Sequence, residues 1–491
     1  MMGHQAKQTQ WWSDPVNVFA RIPEDHILRR LNRCLNLEFI REEVAAKYGH
    51  NGQVSVDPVV IMKMMLLLFL DDVKSERELM RIVPLRLDYL YFLGYGLEDT
   101  VPNHSVLSKA RQRWGSEVFE HLFARTVEQC AKAGLIGGDK VHVDASLIRA
   151  DASLNCVVVV EKTLSKLSDT LETGRVAEPQ PSSKEDDDGE PSGGGPINDK
   201  HTVQSDPDAT VVRHRSGKSV PSYKNHRVLD DLAGVITAIK TTTGCVPEGG
   251  QLMDLVEQHE AMAGRKPRAA IADSAYGTSA NFIALAESGI RAHVADLRSR
   301  LHNVRAEGIY PAEAFAYDAK SDSFRCPANQ RLFRHHYHAG RGYHEYRAKA
   351  GVCAACPLAR RCTRAKAGRT LKRYEGQELL DRARRQSHGP AAQRDRRRRQ
   401  WFQERNFGEA AVQHGFKRSR WRSLRRQQIQ DLLIAAIQNL KIYLRKAAGV
   451  PRALLSAIYR LLAALRTCSL VEKSAFYPSL QVSLNNATLN T

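Results

Sequence analysis

Aromatic residues are scarce in this chain, at 7% of 491 positions, and long apolar runs are missing. The longest, Val59 to Leu70, is interrupted by Lys63. It falls short of the roughly 20 residues that span a bilayer, so it reads as a buried helix and no membrane partner is expected. The first residues lack the basic-then-apolar pattern of a secretory signal. No internal repeat and no RNA-binding module pattern is visible. Acidic residues are outnumbered, 54 Asp and Glu against 73 Lys and Arg, for a formal net charge of +19. With 42% hydrophobic residues the chain is expected to be mostly globular, and its excess of cations points to a polyanionic partner. A cytoplasmic location is expected, where disulfides are rare, so the nine cysteines call for another explanation wherever they cluster.

The length allows two to four domains. Residues 1–130 read as all-helical. Asp57-Pro58 is an N-cap with proline at the first helical position, and Ser75 with Glu78 fits a capping box. Short periodic segments at 75–83, 86–93 and 104–113 fit either a helix-turn-helix or a plain bundle. In the first case Ser105, Ser108, Lys109, Gln112 and Arg113 would face DNA. From 139 to 300 the pattern becomes α/β. Lys140 to Leu147 alternates, with Val141, Val143, Ala145 and Leu147 on one face and His142, Asp144 and Ser146 on the other. Strands are expected at 222–229, 234–243, 269–272 and 291–295, and helices at 248–263 and from Ser279. An insertion at about 166–215 holds the acidic run Glu185 to Asp188 and three successive glycines, and reads as a mobile loop. A cysteine-containing segment covers 324–365, and a basic helical part covers 376–447. The tail, 450–491, has an apolar-periodic helix at 452–466 and no clear role.

Asp144 on a strand and Asp273 directly after one stand where α/β sheets present catalytic carboxylates. A carboxylate there costs free energy unless it is paired or metal-bound. Converging carboxylates suit Mg²⁺, which takes oxygen ligands, and two such ions clamp both oxygens of an in-line phosphoryl transfer. An isolated strand-end aspartate is more often a cap. Cys353 and Cys356, with Cys362 and the distant Cys326, have the make-up of a structural Zn²⁺ site. Four reduced thiols are the alternative, and His335, His336, His338 or His344 an alternative ligand source. A redox Cys-x-x-Cys is disfavoured because the expected βαβ setting is missing. Between 394 and 426 arginines crowd, including Arg397, Arg398, Arg399, Arg418 and Arg420 beside Lys417. They read as phosphate contacts rather than a merely solvated face. Trp401 and Trp421 would stack on unpaired bases or pack in the core. Gln428 to Leu444 returns to apolar periodicity and should pack on the sheet.

In combination these segments resemble the DDE transposases of bacterial insertion sequences. Val143-Asp-Ala-Ser-Leu-Ile-Arg-Ala-Asp-Ala-Ser153 is similar to the first-aspartate motif, Ser222-Tyr-Lys-Asn-His226 to the following strand, and Asp273-Ser-Ala-Tyr-Gly277 to the second-aspartate motif. Glu404-Arg-Asn-Phe-Gly408, with His414-Gly-Phe416, Arg418, Arg420 and Asn439-Leu-Lys441, resembles the glutamate helix. The branch it is most similar to is the insertion-sequence eleven-eighty-two family, related to the fourth and fifth families, and the likeness runs from about residue 15 to 445. It implies an RNase H-like mixed sheet flanked by helices, with an all-helical N-terminal domain and a small Cys-rich insertion. It also implies a metal triad of Asp144, Asp273 and Glu404 holding two Mg²⁺ or Mn²⁺ ions. Glu409 is the rival third carboxylate. Ala411 stands where the family often has lysine, and Arg397 and Gln400 where it often has tyrosine and arginine.

The expected function is cleavage at terminal inverted repeats and strand transfer to target DNA by a homodimer, in the nucleoid of a bacterium. A catalytically inactive DNA-binding relic and a repair-type nuclease of the same fold are the competing readings.

Overall fold

The computed structural model describes residues 18–49, 54–159, 198, 201–214, 217–297 and 308–446. Most of the expected loop at 166–215 lies outside these residues, as do the tail helix at 452–466 and Cys468. The described end of that loop is ordered: residues 201–214 contain strands β3 (His201–Val203) and β4 (Thr210–Arg213).

Among the described residues, all regular structure up to Lys132 is helical. Its centre is α3 (Pro58–Leu70), buried at every position except Lys63. Asp57 caps it by accepting from the Val59 N–H at 2.9 Å. Lys63 escapes an unpaired burial by bonding the Phe92 carbonyl and Asn32, and burial pulls its pKa down to about 8. Against α3 pack α2 (Phe39–Val44), α4 (Glu76–Ile82), α5 (Leu87–Leu93) and α6 (Ser105–Trp114), with α1 (Ile27–Cys34) on α5 and α7 (Glu117–Lys132) on α2. Ser75 caps α4 through the Glu78 N–H, as its sequence pattern requires. Ser108, Lys109, Gln112 and Arg113 form the exposed face of α6, an arrangement that suits a bundle and a DNA-facing helix equally.

The main sheet is mixed. Its order is β4, β5 (Ser219–Asp230), β1 (Lys140–Arg149), β7 (Ala269–Ala272), β8 (Arg291–Val294), and β6 (Ile236–Thr243) also pairs with β5. β1 is antiparallel to β5 and parallel to β7. One face is covered by α8 (Leu252–Ala263), which packs on Val141, Val143 and Val228. The other lies under α12 (Pro390–Gln413) and α13 (Leu424–Lys446). The expected basic helical stretch is therefore three helices, with α11 (Gln377–His388) first and breaks at Gly389-Pro390 and at 414–423.

Covering both faces changes the reading of β1. His142, expected on a polar face, is fully buried. It stacks on Phe402 at 5.2 Å and bonds Asp231 at 2.7 Å. The inner side of α12 is also polar and partnered: Asp395 accepts from Lys140 and bonds His293, and Gln403 donates to the His142 carbonyl.

Residues 316–374 form a separate antiparallel sheet, in order β13 (Thr370–Tyr374), β12 (Tyr343–Ala348), β11 (Arg331–His338), β10 (Ser323–Arg325), β9 (Ala316–Asp318). Among the described residues no helix is long and apolar enough to cross a membrane.

One connection is strained. Ser423, just before α13, sits at φ +86°, in the left-handed region that side chains other than glycine avoid. It is held there because its N–H and that of Leu424 donate to Asp206 and Asp208. Ser423→Gly should therefore raise stability by about 0.5–1 kcal/mol. Thermal unfolding of the variant checks this, and a lower midpoint would contradict it.

Candidate active site

The β1–β7 register pairs Lys140 with Ala269 and His142 with Ile271. Continued two residues, it sets Asp144 beside Asp273 at the carboxyl end of β7. Asp144 is three-quarters buried, with 23% of its side chain exposed. One oxygen accepts from the Ala145 N–H at 2.9 Å, and the other faces the Arg399 guanidinium at 2.9 Å. Burial pushes its carboxyl above the usual range. Arg399 pulls it down, and the nearby Asp273 pushes it up again. Asp273 caps the short 3-10 turn Ser274–Tyr276 through the Ala275 N–H.

Two further groups belong to this centre. Glu248, in the loop between β6 and α8, is raised by burial, is lowered by Lys224, and feels both Asp273 and Asp144. Lys224 Nζ lies 3.5 Å from it. Asn281 ties the two turns together by donating to the carbonyls of Gly249 and Tyr276, each at 2.9 Å. Tyr276 is fully buried, its hydroxyl has no hydrogen-bond partner among the described residues, and Glu248, Asp144 and Asp273 are acids around it.

Glu404 stands on the exposed side of α12 and accepts from Gln400 at 3.0 Å. Its rival, Glu409, pairs with Lys441 at 2.7 Å on another side of the helix. Asp144 and Asp273 are thus brought together with Glu248, and Glu404 is placed apart from them. Among the described residues no group of three or more His, Cys, Asp or Glu is arranged to hold a metal ion. The oxygen donors at Asp144 and Asp273 suit a hard cation, but a cation, Arg399, already occupies Asp144.

Of the arginines read as phosphate contacts, Arg397 is exposed, and Arg398 is paired with Asp231 at 2.6 Å. Lys417 reaches the Ser146 hydroxyl at 2.5 Å, and Arg418 is 3.3 Å from Asp151. Arg420 points inward instead. It bonds the Leu68 carbonyl, Val73 and Asp72 and lies over the Phe69 ring, so it fastens the glutamate helix's following loop to α3. Trp401 is exposed, whereas Trp421 packs against Phe69 and Arg111.

The cysteines Cys326, Cys353, Cys356 and Cys362 line one cavity beside the second sheet. The turn between β10 and β11 brings in Cys326, whose sulfur accepts from the Gln330 N–H. Gly368, at φ +95°, leaves room for Cys353: a Cβ there would come within 2.9 Å of its sulfur.

Sequence reasoning missed Glu248, Lys224, Tyr276 and the pairing role of Arg399. The only available signals were the Tyr-Lys of the β5 segment and the tyrosine of Asp273-Ser-Ala-Tyr-Gly277.

Residues 16–113 match the family described as Transposase domain (DUF772), and residues 325–444 match the family described as Transposase DDE domain. No curated protein matches the chain. Asp144 and Asp273 fall between the two matched segments, while Glu404 and the cysteines fall within the second. Together the two matches, on the helical region and on the segment that carries Glu404, support a DDE transposase.

Proposed function

We propose that the chain cuts DNA at the ends of an insertion sequence and joins them to target DNA, on a core of RNase H-like type. The observation that carries this reading is the juxtaposition of Asp144 on β1 with Asp273 just past the end of its parallel neighbour β7, with a guanidinium balancing the first. Asp144, Asp273 and, by its place in the glutamate motif, Glu404 would hold Mg²⁺ or Mn²⁺. Two bound ions would supply an activated attacking oxygen and a stabilised leaving oxygen. Arg399 offsets part of the upward pull that burial exerts on the Asp144 carboxyl. Asp273 is fixed by its cap on Ala275, so the two carboxylates would keep their relation with a divalent cation in the place of Arg399. Lys417, at Ser146 on the same strand, puts positive charge beside the reacting phosphate. Lys109, Arg113, Arg397 and Arg418 would take phosphates further along the duplex. Bringing two terminal inverted repeats together calls for a homodimer.

The test is incubation of the purified chain with labelled duplexes carrying the gene's flanking ends, with Mg²⁺, Mn²⁺ or EDTA. Metal-dependent nicking at the ends is expected. Binding without nicking in either metal would make the chain a DNA-binding relic.

The thiols of Cys326, Cys353, Cys356 and Cys362 have the donor chemistry of a structural Zn²⁺ site. Elemental analysis is expected to find one zinc per chain and none in Cys362→Ser, with earlier proteolysis of residues 316–374 in that variant. Zinc-free wild type of unchanged stability would reduce the four to packed thiols.

A further inference from the structure

Two cavities adjoin at the far end of β1, sharing Ser205 and Arg422. The first is lined by Arg149, Asp151, Pro221 and Arg418, among others. The second is lined by Arg111 and Gln112 of α6, Asp206, Arg425 and Arg426. The double cavity therefore runs from the strand that carries Asp144 to the helical region. Arg149 is five residues beyond Asp144 on that strand, about 17 Å along it. Lys417 stands between them at Ser146.

The joint lining is strongly cationic. Arg149, Arg422, Arg425 and Arg426 are exposed, and Arg418 keeps 69% of its side chain in solvent. Asp151 must serve two arginines, Arg418 at 3.3 Å and Arg422 at 3.6 Å. Asp206 is committed to the Tyr223 hydroxyl and the Ser423 N–H. Neither Arg149 nor Arg426 has an ion pair among the described residues. Nearby, Lys417 and Arg149 join burial in holding the His214 imidazole below its ordinary pKa. The end of β1 is tied to the segment that carries Arg418: the Arg149 N–H donates to the Lys417 carbonyl, and the Ser419 N–H to the Arg149 carbonyl.

We propose that these two joined cavities bind the phosphodiester backbone of DNA beside the cleavage point, through Arg149, Arg418, Arg422, Arg425 and Arg426. A single anion would be satisfied by one guanidinium fork. Several of them across two adjoining cavities, the first at the end of the strand that carries Asp144, match a strand with phosphates at regular intervals. Asp151 acts as a counter-charge that moderates the affinity. The inference rests on the transposase reading for the identity of its ligand.

The test uses the full chain and a fluorescent duplex carrying the flanking ends, with binding followed by anisotropy across a KCl series. Arg149→Ala/Arg422→Ala/Arg426→Ala is compared with wild type and with Arg331→Ala, an exposed residue at the start of β11. The triple variant should bind at least tenfold more weakly and lose about 2–3 from the slope of log K against log salt, close to one per phosphate contact removed. Arg331→Ala should change neither. Asp151→Asn should bind about threefold or more tightly, a gain that misfolding cannot produce. Unchanged affinity and slope in the triple variant, with no gain from Asp151→Asn, would overturn the proposal. Wild type that binds with the expected variant effects yet never cuts would remove the enzymatic reading and leave the track standing. Wild type that cuts while the variants bind normally would remove the track alone.

Discussion

Asp144→Asn and Asp273→Asn are each expected to lower DNA cleavage by on the order of 10³-fold or more, about 4 kcal/mol of lost transition-state stabilisation, while end binding is retained. Both substitutions keep the local backbone. The asparagine oxygen at 144 can still accept from the Ala145 N–H, and that at 273 from the Ala275 N–H. What each removes is the negative charge, and with it the reason for a divalent cation to displace Arg399. Glu404→Gln belongs beside them. The motif reading expects it to lose as much, through a rearrangement that turns the residue from Gln400 toward the aspartates. Glu248→Gln is expected to keep at least a tenth of the activity. The reverse order, with Glu248→Gln inactive and Glu404→Gln active, would move the third acid to the loop between β6 and α8. Folding of each variant is checked by its unfolding midpoint.

The second large effect concerns stability. Arg227 is fully buried on β5, opposite Asp144 in the sheet register. It donates to Asn225, to Asn406 on α12 and to Gln438 on α13, at 2.6 to 2.9 Å. Its guanidinium lies over the rings of Phe407 and Phe416. Burial lowers its pKa to about 10, opposed by Asp431, whose own carboxyl is raised to about 6 by complete burial. Removing one partner from such a network leaves the others desolvated and unpaired. Arg227→Ala should therefore cost about 3–5 kcal/mol and lower the unfolding midpoint by about 3–5 °C. Arg227→Met, which refills the volume, should cost less. A midpoint within a degree of wild type for the alanine variant would show that Arg227 does not join the helices to the sheet.

Much of the local structure can be read from residue patterns alone. The Asp57-Pro58 and Ser75–Glu78 signals place two helix starts because each supplies an acceptor for an orphan N–H. The alternation in β1 places Asp144 on a strand. Which face of that strand is dry cannot be read the same way, since it depends on α12 crossing it from far along the chain. The inner side of α12 hides from periodicity because it is built of Asp395, Gln403 and Asn406, polar residues whose partners lie on other elements. For the same reason the arginine run reads as one DNA-facing block, although Arg399 and Arg420 are spent inside the fold. Glu248 is a single acid in a glycine-rich loop with no local pattern to mark it. Only the packing of one turn on another brings it to Asp273. The four cysteines, by contrast, meet in one cavity because the β10–β11 turn returns Cys326 to the others.

The central claim is that the chain both cuts and joins DNA with metal-bound carboxylates. It is tested most directly by supplying the full chain with a marked DNA segment bounded by the gene's own flanking sequences, a target plasmid, and Mg²⁺ or Mn²⁺. Products are scored for excision and for covalent joining to the target. The account predicts joined products with wild type and none with Asp144→Asn at equal DNA occupancy. Cleavage without any joining would make the chain a nuclease, and joined products of undiminished yield with Asp144→Asn would contradict the site itself.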